Sequence, residues 1–275
     1  MKNTFLLAIL LGTGMYGQAQ LHQLKKLWST DTLLKTPESV LWTAKNNFLF
    51  VSNIDGDPAK KDGKGSIAKI SLDGKIINNN WVTGLEAPKG MGIYKNKLYV
   101  ADLTDNVVSD IPEAKILKRI PVKDAVFLND IAIDKKGVVY VSDTRTNKVH
   151  KLEKGFVVTL LENLQGPNGL LCVDEDLLIL DKGTLIRLMP NGALGNITTG
   201  MDPSTDGIEE VAKNEYLVSA WNGVLYYIYA NGDKQTLLDT RSENAHTADI
   251  GFDPKKRILY VPTFYGNTVV AYQVK

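Results

Sequence analysis

Short apolar runs separated by polar turns recur along the whole chain, and no stretch of residues 20–275 shows the three-to-four spacing of an amphipathic helix. Six segments share one plan: a polar pair, a short apolar strand, a polar turn and a second β-rich run. The first strands open Glu38-Ser39-Val40, Lys89-Gly90-Met91, Asn129-Asp130-Ile131, Asn168-Gly169-Leu170, Asp206-Gly207-Ile208 and Ala248-Asp249-Ile250-Gly251-Phe252. Second strands follow as Leu49-Phe50-Val51, Leu98-Tyr99-Val100, Val139-Tyr140-Val141, Leu177-Leu178-Ile179, Tyr216-Leu217-Val218 and Leu259-Tyr260-Val261. Third strands such as Val149-His150-Lys151-Leu152, fourth strands such as Gln235-Thr236-Leu237-Leu238, and Asp-Gly or Asn-Gly turns complete the unit. From Ser39 to Asp249 the mean interval is about 42 residues, the spacing of four-stranded propeller blades.

The pattern therefore predicts an all-β, six-bladed β-propeller. The sixth repeat reaches Lys275 after its third strand, while the strand-like residues 23–30 belong to no repeat. We expect that N-terminal strand to close the last blade, since an unpaired edge is an aggregation hazard.

Composition narrows the class. An apolar fraction of 44% and a charged fraction of 23% are ordinary for a soluble globular domain. Lysine and arginine total 32 against 31 acids, with no basic mass on which a nucleic acid would sit. Lys2, an apolar run over residues 5–11 and Gly17-Gln18-Ala19 read as a secretory signal peptide over residues 1–19. The run is too short to span a bilayer. The remaining residues 20–275 form one domain, expected to be exported, periplasmic or secreted, monomeric, and free of nucleic-acid and membrane partners. The single cysteine, Cys172, offers no disulfide and reads as a small buried hydrophobe.

Propeller geometry turns position into chemistry. The residues that open the six inner strands form a ring at one mouth of the central channel: Glu38, Lys89, Asn129, Asn168, Asp206 and Ala248. Two carboxylates and two amides converging on an axis are hard oxygen ligands. They suit Ca²⁺ best, with Mg²⁺ or Mn²⁺ as alternatives, whereas zinc would call for histidine or cysteine. Turn chemistry at Asn-Gly and Asp-Gly pairs is the competing explanation.

Lys89 would either orient a substrate carboxylate or balance Glu38 and Asp206, and the second is favoured. His246, in the loop leading into blade six, is a candidate base or substrate contact. His150 reads as structural. Asp102, Asp143 and Asp181 close second strands at one repeat position and read as turn caps. The insertion at residues 55–64 joins strands two and three of blade one, on the site face, as a lid or as plain loop.

These residues resemble the SMP-30/gluconolactonase/LRE-like family. The resemblance spans residues 20–275 and rests on Pro37-Glu38-Ser39-Val40-Leu41-Trp42, Leu128-Asn129-Asp130, Gly166-Pro167-Asn168-Gly169 and Thr205-Asp206-Gly207. It implies a six-bladed propeller with a divalent cation, most often Ca²⁺, held by Glu38, Asn168 and Asp206, with Asn129 beside the substrate or metal. It implies a hydrolase of a lactone or related ester, with Asp206 and Asn129 as catalytic residues and no organic cofactor. In the family's sugar-acid enzymes an arginine stands two residues before the third-blade asparagine. Here that place is Phe127, which argues against a gluconolactone-type substrate. The alternative function is a non-catalytic binding propeller in which the cation is structural.

Overall fold

The computed structural model describes residues 21–275. The leader expected over residues 1–19 lies outside them. Twenty-four strands form six four-stranded sheets, and each sheet is an antiparallel meander. Blades one to five run in chain order from inner to outer strand. Their inner strands are Pro37–Leu41, Pro88–Tyr94, Leu128–Ile133, Pro167–Val173 and Thr205–Ala212. Among the described residues no helix is long and apolar enough to cross a membrane.

Blade six is made from both ends of the chain. Its inner three strands are Gly251–Asp253, Ile258–Pro262 and Val269–Val274. Leu24–Ser29 supplies the fourth, pairing antiparallel from Leu24 with Val274 to Ser29 with Val270. The closing strand expected from residues 23–30 is therefore present.

The inner strand of blade six departs from expectation. Ladder pairing begins only at Gly251, not at Ala248. Asp249 instead makes a parallel bridge to Ser39 of blade one. Its N–H donates to the Glu38 carbonyl at 2.9 Å and its own carbonyl accepts from Val40 at 3.2 Å. Those backbone groups are spent on joining the first and last blades at the axis.

A strand that packs on both faces needs apolar residues on both, and this is where the core goes. Six clusters each lie between two neighbouring blades, as in Leu178, Leu180 and Leu185 of blade four against Tyr216 and Val218 of blade five. Tyr260 and Ala271 of blade six meet Leu49, Val51 and Ala68 of blade one in the same way. The core is thus a ring of interfaces around a channel, so the axis is left for polar side chains.

Of the three aspartates expected to cap their own turns only Asp143 does so, through Thr146, and all three instead reach back along the chain. Asp102 accepts the N–H groups of Glu86 and Ala87, and Asp181 accepts that of Gln165. Asp143 accepts from Val126 at 2.9 Å, from Phe127 at 3.0 Å and from Thr146 at 3.3 Å. Each carboxylate staples the segment that leads into the inner strand of its own blade, and so sets the height of the ring residue that follows. Cys172 is half-buried in a groove between blades, not fully buried as its apolar neighbours suggested. Burial pushes its thiol up to about 12, so it stays unreactive. His150 is buried against Thr159, away from the ring.

Asp143→Ala leaves three N–H groups without their acceptor, at a cost of about 3 kcal/mol. The melting temperature should fall by roughly 6–12 °C, and Asp143→Asn, which keeps one acceptor oxygen, should restore most of it in thermal denaturation.

Candidate functional site

Five of the six ring residues sit in a break of strand register. The inner-to-second-strand pairing skips between Pro37 and Ser39, Pro88 and Met91, Leu128 and Ile131, Pro167 and Leu170, and Thr205 and Ile208. Glu38, Lys89, Asn129, Asn168 and Asp206 occupy those breaks. A bulge re-aims a side chain that would otherwise stay in the blade. Here Ser52, Ser142 and Ser219 of the second strands satisfy the freed N–H groups of Ser39, Asp130 and Gly207.

The five side chains share the floor of one cavity of about 390 Å³. Ala248, the sixth ring position, is buried among Ile54, Ala87 and Phe264 beneath the wall. The wall is built from loops on the same face: Pro58 from the blade-one insertion, Phe127, Trp221, and the turn carrying Phe264 and Tyr265. The insertion does lie over the site. Its Pro58 carbonyl accepts from Lys89, while Lys61 reaches Thr104 and Gly63 donates to Glu86 in blade two.

Hydrogen bonds fix which atoms face inward. Asn168 donates its Nδ2 to Asp206 Oδ1 at 2.8 Å. Thr144 gives its hydroxyl proton to the Pro167 carbonyl, so toward Asn129 it can only accept, and Asn129 Nδ2 donates to it at 3.0 Å. Both amides therefore turn their nitrogen to the protein and keep their oxygen free. Glu38 Oε2 and Asn168 Oδ1 are buried without a hydrogen-bond partner. Thr144 was not legible in the sequence, because it lies in a loop with no repeat signature.

Electrostatics follow from enclosure. Burial, with the charge of Asp206, holds Glu38 well above the usual carboxylate range. Burial, with Asp249, does the same for Asp206, opposed by the Asn168 amide. Lys89 is pushed down to about 8 by burial, which outweighs the pull of Glu38. Its Nζ bonds the Pro58 and Ala87 carbonyls and lies 4.3 Å over the Phe127 ring, with no direct bond to either acid. His246 stands one ring back from the cavity, stacked on Trp221 at 4.0 Å with its Nδ1 bonded to the Trp221 carbonyl.

One residue deeper lies a second acidic layer that the sequence reading passed over. Asp130, Glu209 and Asp249 line a cavity of about 250 Å³ in the other half of the channel. Asp130 accepts from Leu170 and Ile131, and Asp249 from Ser39. Their signal was the second member of the recurring polar pair, visible in Asn129-Asp130 and Ala248-Asp249. Among the described residues no three His, Cys, Asp or Glu side chains gather as a metal-binding group. The ring has four oxygen donors only when its two amides are counted.

No protein family matches the sequence, and no curated protein does. Solved structures do match the fold. A streptogramin B lyase superposes with a TM-score of 0.68 at 12% identity, over 92% of this chain and 98% of that one. A histidine-to-alanine, catalytically inactive virginiamycin B lyase from Staphylococcus aureus, solved with quinupristin, gives 0.65 at 14%, over 92% and 99%. A candidate gluconolactonase gives 0.68 at 16%, over 92% of each chain. At these identities the likeness is one of fold alone.

The channel acids make a pH prediction. Burial raises Glu209 to about 8 and Asp249 to about 7, both above the ordinary carboxylate value. A raised acid stabilises the fold while protonated, and that contribution is lost as pH rises through the folded value. Without divalent cations the stability, and with it the melting temperature, should therefore fall from pH 5 to pH 8. Glu209→Gln should flatten the fall in a thermal-denaturation series.

Proposed function

We propose that this propeller is a metal-dependent hydrolase of a lactone or related ester. The observation that supports it is the set of free acceptor oxygens on the cavity floor. Glu38 Oε2 and Asn168 Oδ1 lack partners, and the Asn129 flip leaves its oxygen facing the same cavity. Orphaned buried oxygens are costly unless something positive satisfies them. Glu38, Asn129, Asn168 and Asp206 would hold a divalent cation, Ca²⁺ foremost, with Mg²⁺ or Mn²⁺ as alternatives. When bound, such an ion supplies polarisation of an ester carbonyl and a lowered pKa for water.

The chain's own residues supply the rest. Asp206 has one oxygen committed to Asn168 and the other available to take a proton from water. Asn129, locked by Thr144, presents an oxygen of fixed orientation. Lys89 sits beside the acids with two of its protons already given to carbonyls. The insertion and the aromatic loops narrow the mouth and keep bulk water from the floor. We also propose export, to the periplasm or outside the cell, on the strength of residues 1–19.

Two measurements test this. Saturating Ca²⁺ added to EDTA-treated protein should raise the melting temperature by about 5 °C or more, the shift expected near a hundred times Kd. Glu38→Gln should abolish most of that shift, and a flat melting curve across Ca²⁺, Mg²⁺ and Mn²⁺ would remove the metal from the account. Asp206→Asn, assayed at saturating cation on the wild type's best ester, should lower turnover about a hundredfold or more. Metal-loaded wild type that is inert across a lactone and ester panel would leave the binding propeller as the reading.

A further inference from the structure

The cavity has two chemistries, and the wall says what kind of substrate body it takes. Pro58, Phe127, Trp221, Phe264 and Tyr265 present carbon to the space above the polar floor. Besides the Tyr265 phenol at its lip, the cavity touches three hydroxyls, and each is already engaged with the protein. Thr144 is tied between Pro167 and Asn129, Ser204 bonds Asp202 and Asn222, and Thr205 accepts from Gly183. Against this wall, above the free oxygens of the floor, a polyhydroxylated ring would bury its hydroxyls with few partners, which is unfavourable.

The aromatic side of the mouth is built in advance. Trp221 meets Phe264 edge-on at 5.5 Å and Tyr265 at 6.2 Å, and Phe264 meets Tyr265 at 4.7 Å. His246 stacked behind Trp221 fixes that ring from the rear. Phe264 is held at a φ of 50°, a left-handed conformation that a bulky side chain adopts only under constraint. That turn sends Phe264 inward, where it is buried, and leaves Tyr265 60% exposed at the lip. Across the cavity Phe127 has Lys89 and Arg145 packed on its ring, at 4.3 and 4.4 Å, so the two sides differ in character.

We propose that the site selects a lactone or ester bearing a flat, apolar, aromatic group, which lies against Trp221 and Tyr265 while the carbonyl faces the floor. The polyhydroxylated sugar lactones are rejected. The carbonyl end of this assignment rests on the hydrolase reading, and the aromatic end does not.

Binding of two non-hydrolysable lactams separates them: a phenyl-substituted δ-lactam and a polyhydroxylated gluconolactam, titrated calorimetrically with and without Ca²⁺. The phenyl lactam should bind at least ten times more tightly than gluconolactam. Tyr265→Ala, at an exposed position that should not disturb folding, should weaken it three- to tenfold, and Tyr265→Phe should restore it. Trp221→Ala should weaken it further, provided its melting curve stays cooperative. Gluconolactam binding equally well, neither lactam binding, or Tyr265→Ala having no effect would each overturn the assignment. Phenyl-lactam binding with these losses, in a protein that turns over no ester, supports the aromatic site and removes the hydrolase.

Discussion

Backbone crowding at the axis is the constraint on which the rest depends. Six inner strands converge so closely that a Cβ on Gly169 would lie 2.2 Å from the Asp206 carbonyl oxygen, and one on Gly251 2.4 Å from that of Val40. Likewise a Cβ on Gly90 or Gly207 would strike the carboxylates of Asp130 and Asp249, at 2.1 and 2.4 Å. In the layer just below the ring, Gly90 of blade two makes room for Asp130 of blade three, and Gly207 of blade five for Asp249 of blade six. Only with that room do the strands come close enough to enclose the ring, and enclosure is what desolvates Glu38 and Asp206 and shifts Lys89.

The periodic part of the molecule was legible in the sequence because a blade repeats its hydrogen-bonding problem every 42 residues or so. Ring positions 38, 89, 129, 168 and 206 fell out of that period, and the strand from residues 23–30 was identified by having no repeat of its own. What escaped was carried by non-repeating segments. Thr144, Trp221, Phe264 and Tyr265 lie in the loops joining second to third strands, where length and composition vary from blade to blade. Asp130 and Asp249 were visible in the strand openings, but nothing in the sequence assigned them a role. Their meaning needs the glycine of the neighbouring blade, which is a contact across the axis and leaves no mark on local pattern.

The aspartate staples show how a recurring residue can be noticed and its partner misplaced, since Asp102 and Asp181 cap no turn of their own. A short carboxylate after a strand suggests a cap for the turn it begins, and Asp143 does accept from Thr146. Its other two partners, Val126 and Phe127, lie sixteen or seventeen residues earlier in the chain, just before Asn129. The same arrangement at Asp102 precedes Lys89, and at Asp181 precedes Asn168. Site geometry is thus held from outside the channel, by groups that need never touch a ligand.

Blade six has a bearing on how the molecule comes to exist. Every other sheet is a run of neighbours in sequence, so its strands find one another over short loops and at little entropic cost. Leu24 must find Val274 across nearly the whole chain, and Glu38 must find Asp249 at the axis. A nascent chain can complete five blades and still hold an open arc, with Glu38 at one end far from Asp206. Closure of blade six brings the two ends of the polar ring together, and the same event covers the edge of Val269–Val274. A complete ring and a covered edge therefore arrive together.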